Sequence, residues 1–497
     1  MPLAASVDLF GTERIIQVNH CRGPSCRNFR VPARTRHARP GPSVGRDPAY
    51  KLASTIKGTV PSIRCKACNE SPPLKSNACI VAEIERLADA AGLWRLEETA
   101  SCRNPACGNH GRSIARHPMA YIRRGRPASG NGQYFQCKAC GMKVLVSHPV
   151  RLHAEHQTLA ADVLSRIANK SPVRGTGRGV RLKSMKAYFP IVDFIHSRCR
   201  AYSGAVDRAL IDGTLRLPKD LVLETDGQDY TLNWTSRLDR RNVVLSGYCS
   251  VDSGSRFILG LHVNLDERVD PFEIAVDAVK CGDFDVAEPY RKYARYWLPG
   301  DELKAGRALG RWLRKHDRIE LLAQIRSLYA NAASRADVED VELQVHDDSV
   351  HKLPPPGKGM QVHEPYMAYA HWMLVHRMLT GAGVERMQAN MDIDSMSRAA
   401  FICAFADEIA RGDVHGFYVR YTKFQTVDER KRILREANRA RARYRATLPA
   451  DVRDDRKEVA RRMMKELIRA GQSYSKWNDE WILHPVPTMN ESNKSVS

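Results

Sequence analysis

The chain has 497 residues, 27% charged and 43% hydrophobic, which is the composition of an ordinary globular protein long enough for two to four domains. No apolar run approaches the eighteen or so residues of a membrane span, which excludes a membrane-spanning helix. The net charge of +22 is unevenly placed: residues 1–200 carry 33 Lys/Arg against 12 Asp/Glu, and the rest carry 45 against 44. Such a basic segment points to a polyanion, most commonly nucleic acid, and its Gly-, Pro- and Arg-rich loops lack the apolar face of a helix lying on a membrane.

In chain order the first signal is a repeat of cysteines, Cys21-x4-Cys26 with Cys65-x2-Cys68, then Cys102-x4-Cys107 with Cys137-x2-Cys140. The flanking residues agree as well, Cys-Arg-Gly-Pro-Ser-Cys-Arg-Asn answering Cys-Arg-Asn-Pro-Ala-Cys-Gly-Asn, with Cys-Lys-Ala-Cys at both second pairs. Two short-spaced thiolate pairs on separate hairpins suit a tetrahedral zinc ion, so each copy reads as a zinc ribbon and two structural zinc ions are expected. A disulfide framework would need an oxidising compartment, and the first ten residues lack the features of a signal peptide; a cytoplasmic setting is expected. His20 and His110 lie beside the knuckles, but each set of four is already complete. Cys79, Cys199, Cys249, Cys281 and Cys403 are isolated and expected to be small buried hydrophobes.

Between the ribbons, Ser76-Asn77 predicts the start of a helix over 78–91 with Ile80, Ile84 and Leu87 on one stripe. Within the second ribbon, residues 121–132 read as a basic arm, with Arg123, Arg124 and Arg126 as candidate DNA contacts. Residues 155–202 predict a helical pair joined by a glycine-bearing turn, a helix-turn-helix with Arg178, Arg181, Lys183 and Lys186 at the DNA-facing entry. The glycines Gly175, Gly177 and Gly179 are expected to weaken its middle helix.

Past residue 215 the pattern is three antiparallel strands (221–226, 243–251, 257–265), a helical stretch, then helix 366–380, strand 384–391, helix 397–410, strand 416–421 and a long helix from Thr426. That order is the order of a ribonuclease H-like α/β domain carrying a helical insertion at 267–364. The expected architecture is thus α+β and multidomain: first zinc ribbon plus helix (1–98), second zinc ribbon (99–152), helix-turn-helix (153–205), RNase H-like domain (215–450), basic helix and tail (451–497).

In that order Asp226 ends the first strand, and Asp392 or Asp394 ends the fourth. Carboxylates brought together there repel one another unless a divalent cation lies between them. Glu429, in the first turn of the last helix and thirty-five residues beyond Asp394, can complete a hard oxygen site for magnesium. Singly, the acids also fit as turn formers and as a helix N-terminal residue.

These motifs, together with the ribbon and helix-turn-helix before them, resemble the DDE transposases of bacterial insertion sequences. The resemblance covers most of residues 100–446, with Asp-Ser-Met after the fourth strand where that family usually has Asp-Asn-Gly. It implies a transposase with catalytic Asp226, Asp394 and Glu429 (Asp392 the alternate) and magnesium as cofactor. It also implies double-stranded DNA at the element's terminal repeats as substrate, a homo-oligomer on DNA, and a bacterial, nucleoid-associated setting. Two other readings share these features: a non-catalytic zinc-ribbon regulator, and an RNase H-like nuclease without strand transfer.

Overall fold

The computed structural model of the protein describes residues 2–33, 47–54, 61–93, 100–104, 107–114, 117–127, 132–146, 154–182, 184–233, 242–298, 306–334, 359–392, 395–419 and 426–456, with short pieces at 458–459, 462–463, 466, 472–473 and 480–481. They form two compact units, one of Met1–Ile84 with Leu217–Ser497 and one of Glu85–Arg216. Residues 1–84, which carry the first four cysteines, therefore share a unit with the strands beyond residue 217.

In the N-terminal segment, β1 (Ala5–Asp8) pairs with β2 (Glu13–Ile16), and β3 (Tyr50–Ser54) with β4 (Pro61–Cys65), both antiparallel. Helix α1 (Asn77–Ala90) follows. Its start is capped by Ser76, whose Oγ accepts the Cys79 N–H at 3.3 Å, and the stripe of Ile80, Ile84 and Leu87 is buried as the spacing predicts.

The second unit holds a three-stranded antiparallel sheet of β5 (Tyr121–Arg123), β6 (Gln133–Cys137) and β7 (Lys143–Val146). Three helices follow, α2 (Ala154–Ala168), α3 (Val173–Gly179) and α4 (Tyr188–Ile211). Val163, Val180, Tyr188 and Ile191 form their common core. The glycine run does form a helix, because its glycines are places of close approach: a β-carbon on Gly177 would meet the Met185 sulfur, and one on Gly179 the Arg166 guanidinium. The last helix begins at Tyr188, after a 3-10 turn over Met185–Ala187 that Ser184 caps by accepting the Lys186 N–H at 3.2 Å. Near its other end α4 crosses the chain at Gly204, where a β-carbon would strike the Gly92 carbonyl, and Arg208 Nη1 donates to Gly92 O at 2.6 Å.

Five strands make the sheet of the first unit: β8 (Asp220–Asn233), β9 (Asn242–Asp252), β10 (Ile258–Val263), β13 (Arg386–Asp392) and β14 (Val414–Val419), in the order β10-β9-β8-β13-β14. The first three are antiparallel; β13 runs parallel to both β8 and β14. The short strands β11 (Leu265–Asp266) and β12 (Met360–Gln361) pair with each other and pinch the base of the expected insertion. Within it lie α5 (Pro271–Cys281), α6 (Gly306–Leu313) and α7 (Arg318–Ser334).

The near-continuously apolar helix α8 (Glu364–Gly381) is buried along most of its length, as such a sequence requires. Helix α9 (Ser395–Ala404) meets it through Trp372 and Phe401, ring centroids 5.1 Å apart. A chain of buried polar groups ties α8 to the strands: Thr225 Oγ1 to Ser250 Oγ at 2.7 Å, Ser250 Oγ to His371 Nε2 at 2.7 Å, and His371 Nδ1 to His262 Nδ1 at 2.9 Å. Burial, then the neighbouring His262, keeps His371 well below the usual imidazole range. One helix predicted over 397–410 is two, α9 and α10 (Ala406–Arg411), parted at Phe405. After β14 comes α11 (Val427–Ala446).

Asp207, on the buried side of α4, has its carboxyl pushed up to about 7 by burial, against the opposing pull of Arg208. The folded state thus holds this proton more tightly than the unfolded chain does. Its stabilising contribution is complete below the ordinary carboxyl range and is lost as pH rises to about 7. Asp207→Asn should therefore raise the thermal unfolding midpoint at pH 8, by an amount on the order of a few kcal/mol in stability, and leave it nearly unchanged at pH 4. Circular dichroism melts at the two pH values check it.

Candidate metal centres and the acidic strand pair

Each set of four cysteines converges, with all four sulfurs within 4.8 Å of one another. In the first, Cys21 Sγ lies 3.4 Å from Cys68 Sγ and Cys26 Sγ 3.7 Å from Cys65 Sγ; in the second, Cys102 and Cys140 are 3.4 Å apart and Cys107 and Cys137 3.7 Å. Tetrahedral zinc thiolates at about 2.3 Å would set neighbouring sulfurs about 3.8 Å apart, so both sets fit zinc with little movement. His20 is not part of the converging set, which the four thiols complete; its Nδ1 lies 2.8 Å from the Cys21 carbonyl.

The two modules share a support that sequence spacing alone did not reveal. The Tyr50 hydroxyl accepts the Cys21 N–H at 2.9 Å, and the Tyr121 hydroxyl accepts the Cys102 N–H at 2.9 Å. The strand registers Tyr50↔Cys65 and Tyr121↔Cys137 explain the match. Tyr121–Arg123 is consequently a paired strand with a buried tyrosine, not the start of a free basic arm. Asn28 Nδ2 reaches Cys65 Sγ at 3.3 Å and Asn109 Nδ2 reaches Cys137 Sγ at 3.5 Å. Although burial acts in the other direction, these amides and nearby backbone N–H groups lower the Cys65 thiol to about 7 and the Cys137 thiol to about 6, toward the thiolate that a metal requires.

They also differ. Cys65 N–H donates to the Glu70 carbonyl at 2.8 Å and Cys137 N–H to the Met142 carbonyl at 2.9 Å, so Glu70 and Met142 are equivalent positions. Arg22 is buried, whereas Arg103, one residue after the corresponding cysteine, is exposed. Of the isolated cysteines Cys79 and Cys403 are buried and Cys249 is half-buried, but Cys199 and Cys281 are exposed, being on solvent-facing positions of α4 and at the end of α5.

The acids lie on the sheet. Strand β8 runs on to Asn233, so Asp226 is near its middle, not at its end; it is exposed, opposite Cys249 on β9. The parallel ladder pairs Asn390 with Glu224 and Met391 with Thr225. The ladder ends at that pair, and Asp392 is the next residue along β13 as Asp226 is the next along β8. Burial and then Asp226 raise the Cys249 thiol. Asp394 lies outside the described residues. Glu429 is the third residue of α11, in the first turn as expected.

Of the candidate DNA contacts, Arg123, Arg124, Arg126, Arg178, Arg181 and Lys186 are exposed, and Lys183 is outside the described residues. Arg124 is partly engaged, donating from Nε to Gln136 Oε1 at 2.8 Å. Among the described residues no helix is long and apolar enough to cross a membrane.

No protein-family model, curated protein or solved structure matches the chain.

Protein purified without added zinc should contain about two zinc ions per chain, one for each set of four thiolates. Tyr121→Phe, which removes the acceptor for the Cys102 N–H, should keep the content at two but hasten release of one ion to a chelator about fivefold, matching the usual worth of one hydrogen bond. Metal analysis and a colorimetric chelator assay measure both.

Proposed function

We propose that the chain is a DNA-processing enzyme of the DDE transposase type, binding duplex DNA through its basic second unit and cutting and joining strands at Asp226 and Asp392. The strand order β10-β9-β8-β13-β14, with β13 parallel to both its neighbours, supports a ribonuclease H-like reading, and the observation that carries it is the parallel register, which ends at Met391↔Thr225 with Asp392 and Asp226 next along their strands. Two carboxylates brought together at the end of that ladder would be costly without a cation, and hard carboxylate oxygens suit magnesium.

Asp226 and Asp392 would hold magnesium, joined by Glu429 or Asp394; when bound, it supplies activation of a water or 3′ hydroxyl and stabilisation of the leaving phosphodiester oxygen. The register favours Asp392 over Asp394 as the second acid, a choice that the thirty-five-residue spacing to Glu429 had inclined the other way. The chain's own part is to present the acids on the neighbouring interior strands β8 and β13 and to seat the phosphate backbone. The second unit suits that seating: residues 101–150 contain eight Lys/Arg and no Asp/Glu, and Arg178, Arg181 and Lys186 surround the turn between α3 and α4, a disposition that fits a helix-turn-helix.

Asp226→Asn and Asp392→Asn should each abolish magnesium-dependent cleavage of DNA carrying the repeats that flank the coding region, with duplex affinity retained. Normal cleavage by Asp392→Asn with none by Asp394→Asn would move the second position two residues on; normal cleavage by all three would overturn the reading. Independently, Arg181→Ala with Lys186→Ala should reduce the slope of log affinity against log salt by about two, if each side chain neutralises one phosphate. An unchanged slope would remove this turn from the DNA surface.

A further inference from the structure

The two cysteine modules are copies in sequence but not in surroundings. In the first, Glu70 Oε2 accepts the N–H of Arg22, the residue after Cys21, at 2.6 Å, while Oε1 is 3.5 Å from Arg398 Nη1. Both side chains are nearly sealed from solvent, Glu70 at 6% and Arg398 at 13% exposure. Arg398 belongs to α9, the helix that begins three residues after Asp392. On the other side of the knuckle, Arg22 Nη2 donates to the Tyr369 hydroxyl of α8 at 2.7 Å. Further along the same segment Arg14 Nη2 donates to the Ala404 carbonyl, the last residue of α9, at 2.7 Å.

None of this is reproduced in the second module. Its equivalent of Glu70 is Met142, which has no charge to offer, and its equivalent of Arg22 is the exposed Arg103. A buried Arg–Glu pair is costly to form and more costly to break, so it is kept where it fixes geometry. An exposed arginine beside a knuckle remains available to a phosphate.

We infer that the copies have divided their labour: the first metal module is an internal strut that holds α9, and through it the chain just after Asp392, by the Arg22–Glu70–Arg398 link, whereas the second module alone meets DNA. Glu70 and Arg398 are positioning residues. The anchoring rests only on the contacts above; its importance for cleavage rests on the proposed role of Asp392, and the experiment reads the two separately.

Full-length Glu70→Met, which copies the second module, and Arg398→Met are compared with wild type by hydrogen exchange, zinc content and duplex binding. Glu70→Gln serves as a milder variant should either fail to fold, and unchanged exchange in 154–168 shows that the rest of the chain is intact. Both variants should keep two zinc ions and duplex affinity within about twofold, yet speed exchange in 395–404 about tenfold or more, because a buried ion pair has lost one member. Cys137→Ser should do the converse, losing one zinc ion and at least about tenfold in duplex affinity with exchange in 395–404 unchanged. Unaltered exchange in 395–404 for Glu70→Met and Arg398→Met overturns the strut, whatever happens to cleavage. Loss of duplex affinity in those variants equal to that of Cys137→Ser overturns the division of labour. Faster exchange in 395–404, in a protein whose Asp226→Asn and Asp392→Asn forms still cleave, supports the strut and rejects the catalytic reading.

Discussion

The parallel ladder between β8 and β13 is the constraint on which the rest of the first unit depends. Parallel neighbours cannot be joined by a tight turn, and here the chain between them includes two antiparallel strands, a helical insertion and helix α8. Closing so long a loop costs entropy, though only slowly more as the loop lengthens. The offset comes from burial on one side of the ladder, where Leu221, Leu223, Met387, Ala389 and Met391 are sealed from solvent. Because side chains alternate across a sheet, a slip of one residue would turn this apolar row outward, so the same packing that pays for the ladder also sets the register of Asp226 and Asp392.

Two kinds of donor set are kept in separate surroundings. The thiolate sets sit on short hairpins where hydroxyls and amides restrain the cysteines, as soft-ligand zinc sites require. Asp226 sits on the long strand β8, which the Thr225–Ser250–His371–His262 chain ties to β9, β10 and α8. That chain is uncharged where it is buried deepest, which lets it fix geometry without the desolvation cost of an ion pair. Asp266, by contrast, is buried and ionised: it accepts from the Tyr296 hydroxyl at 2.7 Å and pairs with Arg295 at 3.4 Å, and Arg295 also reaches Glu83 of α1 at 3.1 Å. The base of the insertion is thereby tied to the N-terminal segment.

What was legible in the sequence was whatever repeats or has a period. The eight zinc-binding candidates were readable because paired thiols at fixed spacing have few other uses, and α1, α8 and the five strands because their apolar positions follow the helical or the alternating period. Tyr50 and Tyr121 were not readable, since a buried tyrosine looks like any core aromatic until its hydroxyl is seen under a cysteine amide. The extent of β8 beyond Asp226 was missed because Gly227-Gln-Asp reads as a turn; pairing with β9 as far as Asn233 overrides that local preference. The glycines of α3 were misjudged for the opposite reason: propensity sees their lost entropy but not the Met185 and Arg166 side chains that need the space. Glu70 gave no signal at all, for its role depends on an arginine more than three hundred residues away.

The discontinuity of the first unit also bears on how the protein is made. Residues 1–84 leave the ribosome long before α8 and α9, which supply the partners of Arg14, Arg22 and Glu70. At about 5–20 residues per second, that interval is on the order of tens of seconds. Through it the first cysteine module stands with its buried-to-be arginines and glutamate in water, while Glu85–Arg216, contiguous in sequence, has everything it needs to fold at once. Synthesis therefore supplies the two copies of one motif with their surroundings at different times: those of the later copy are contiguous with it, and those of the earlier one arrive with α8 and α9.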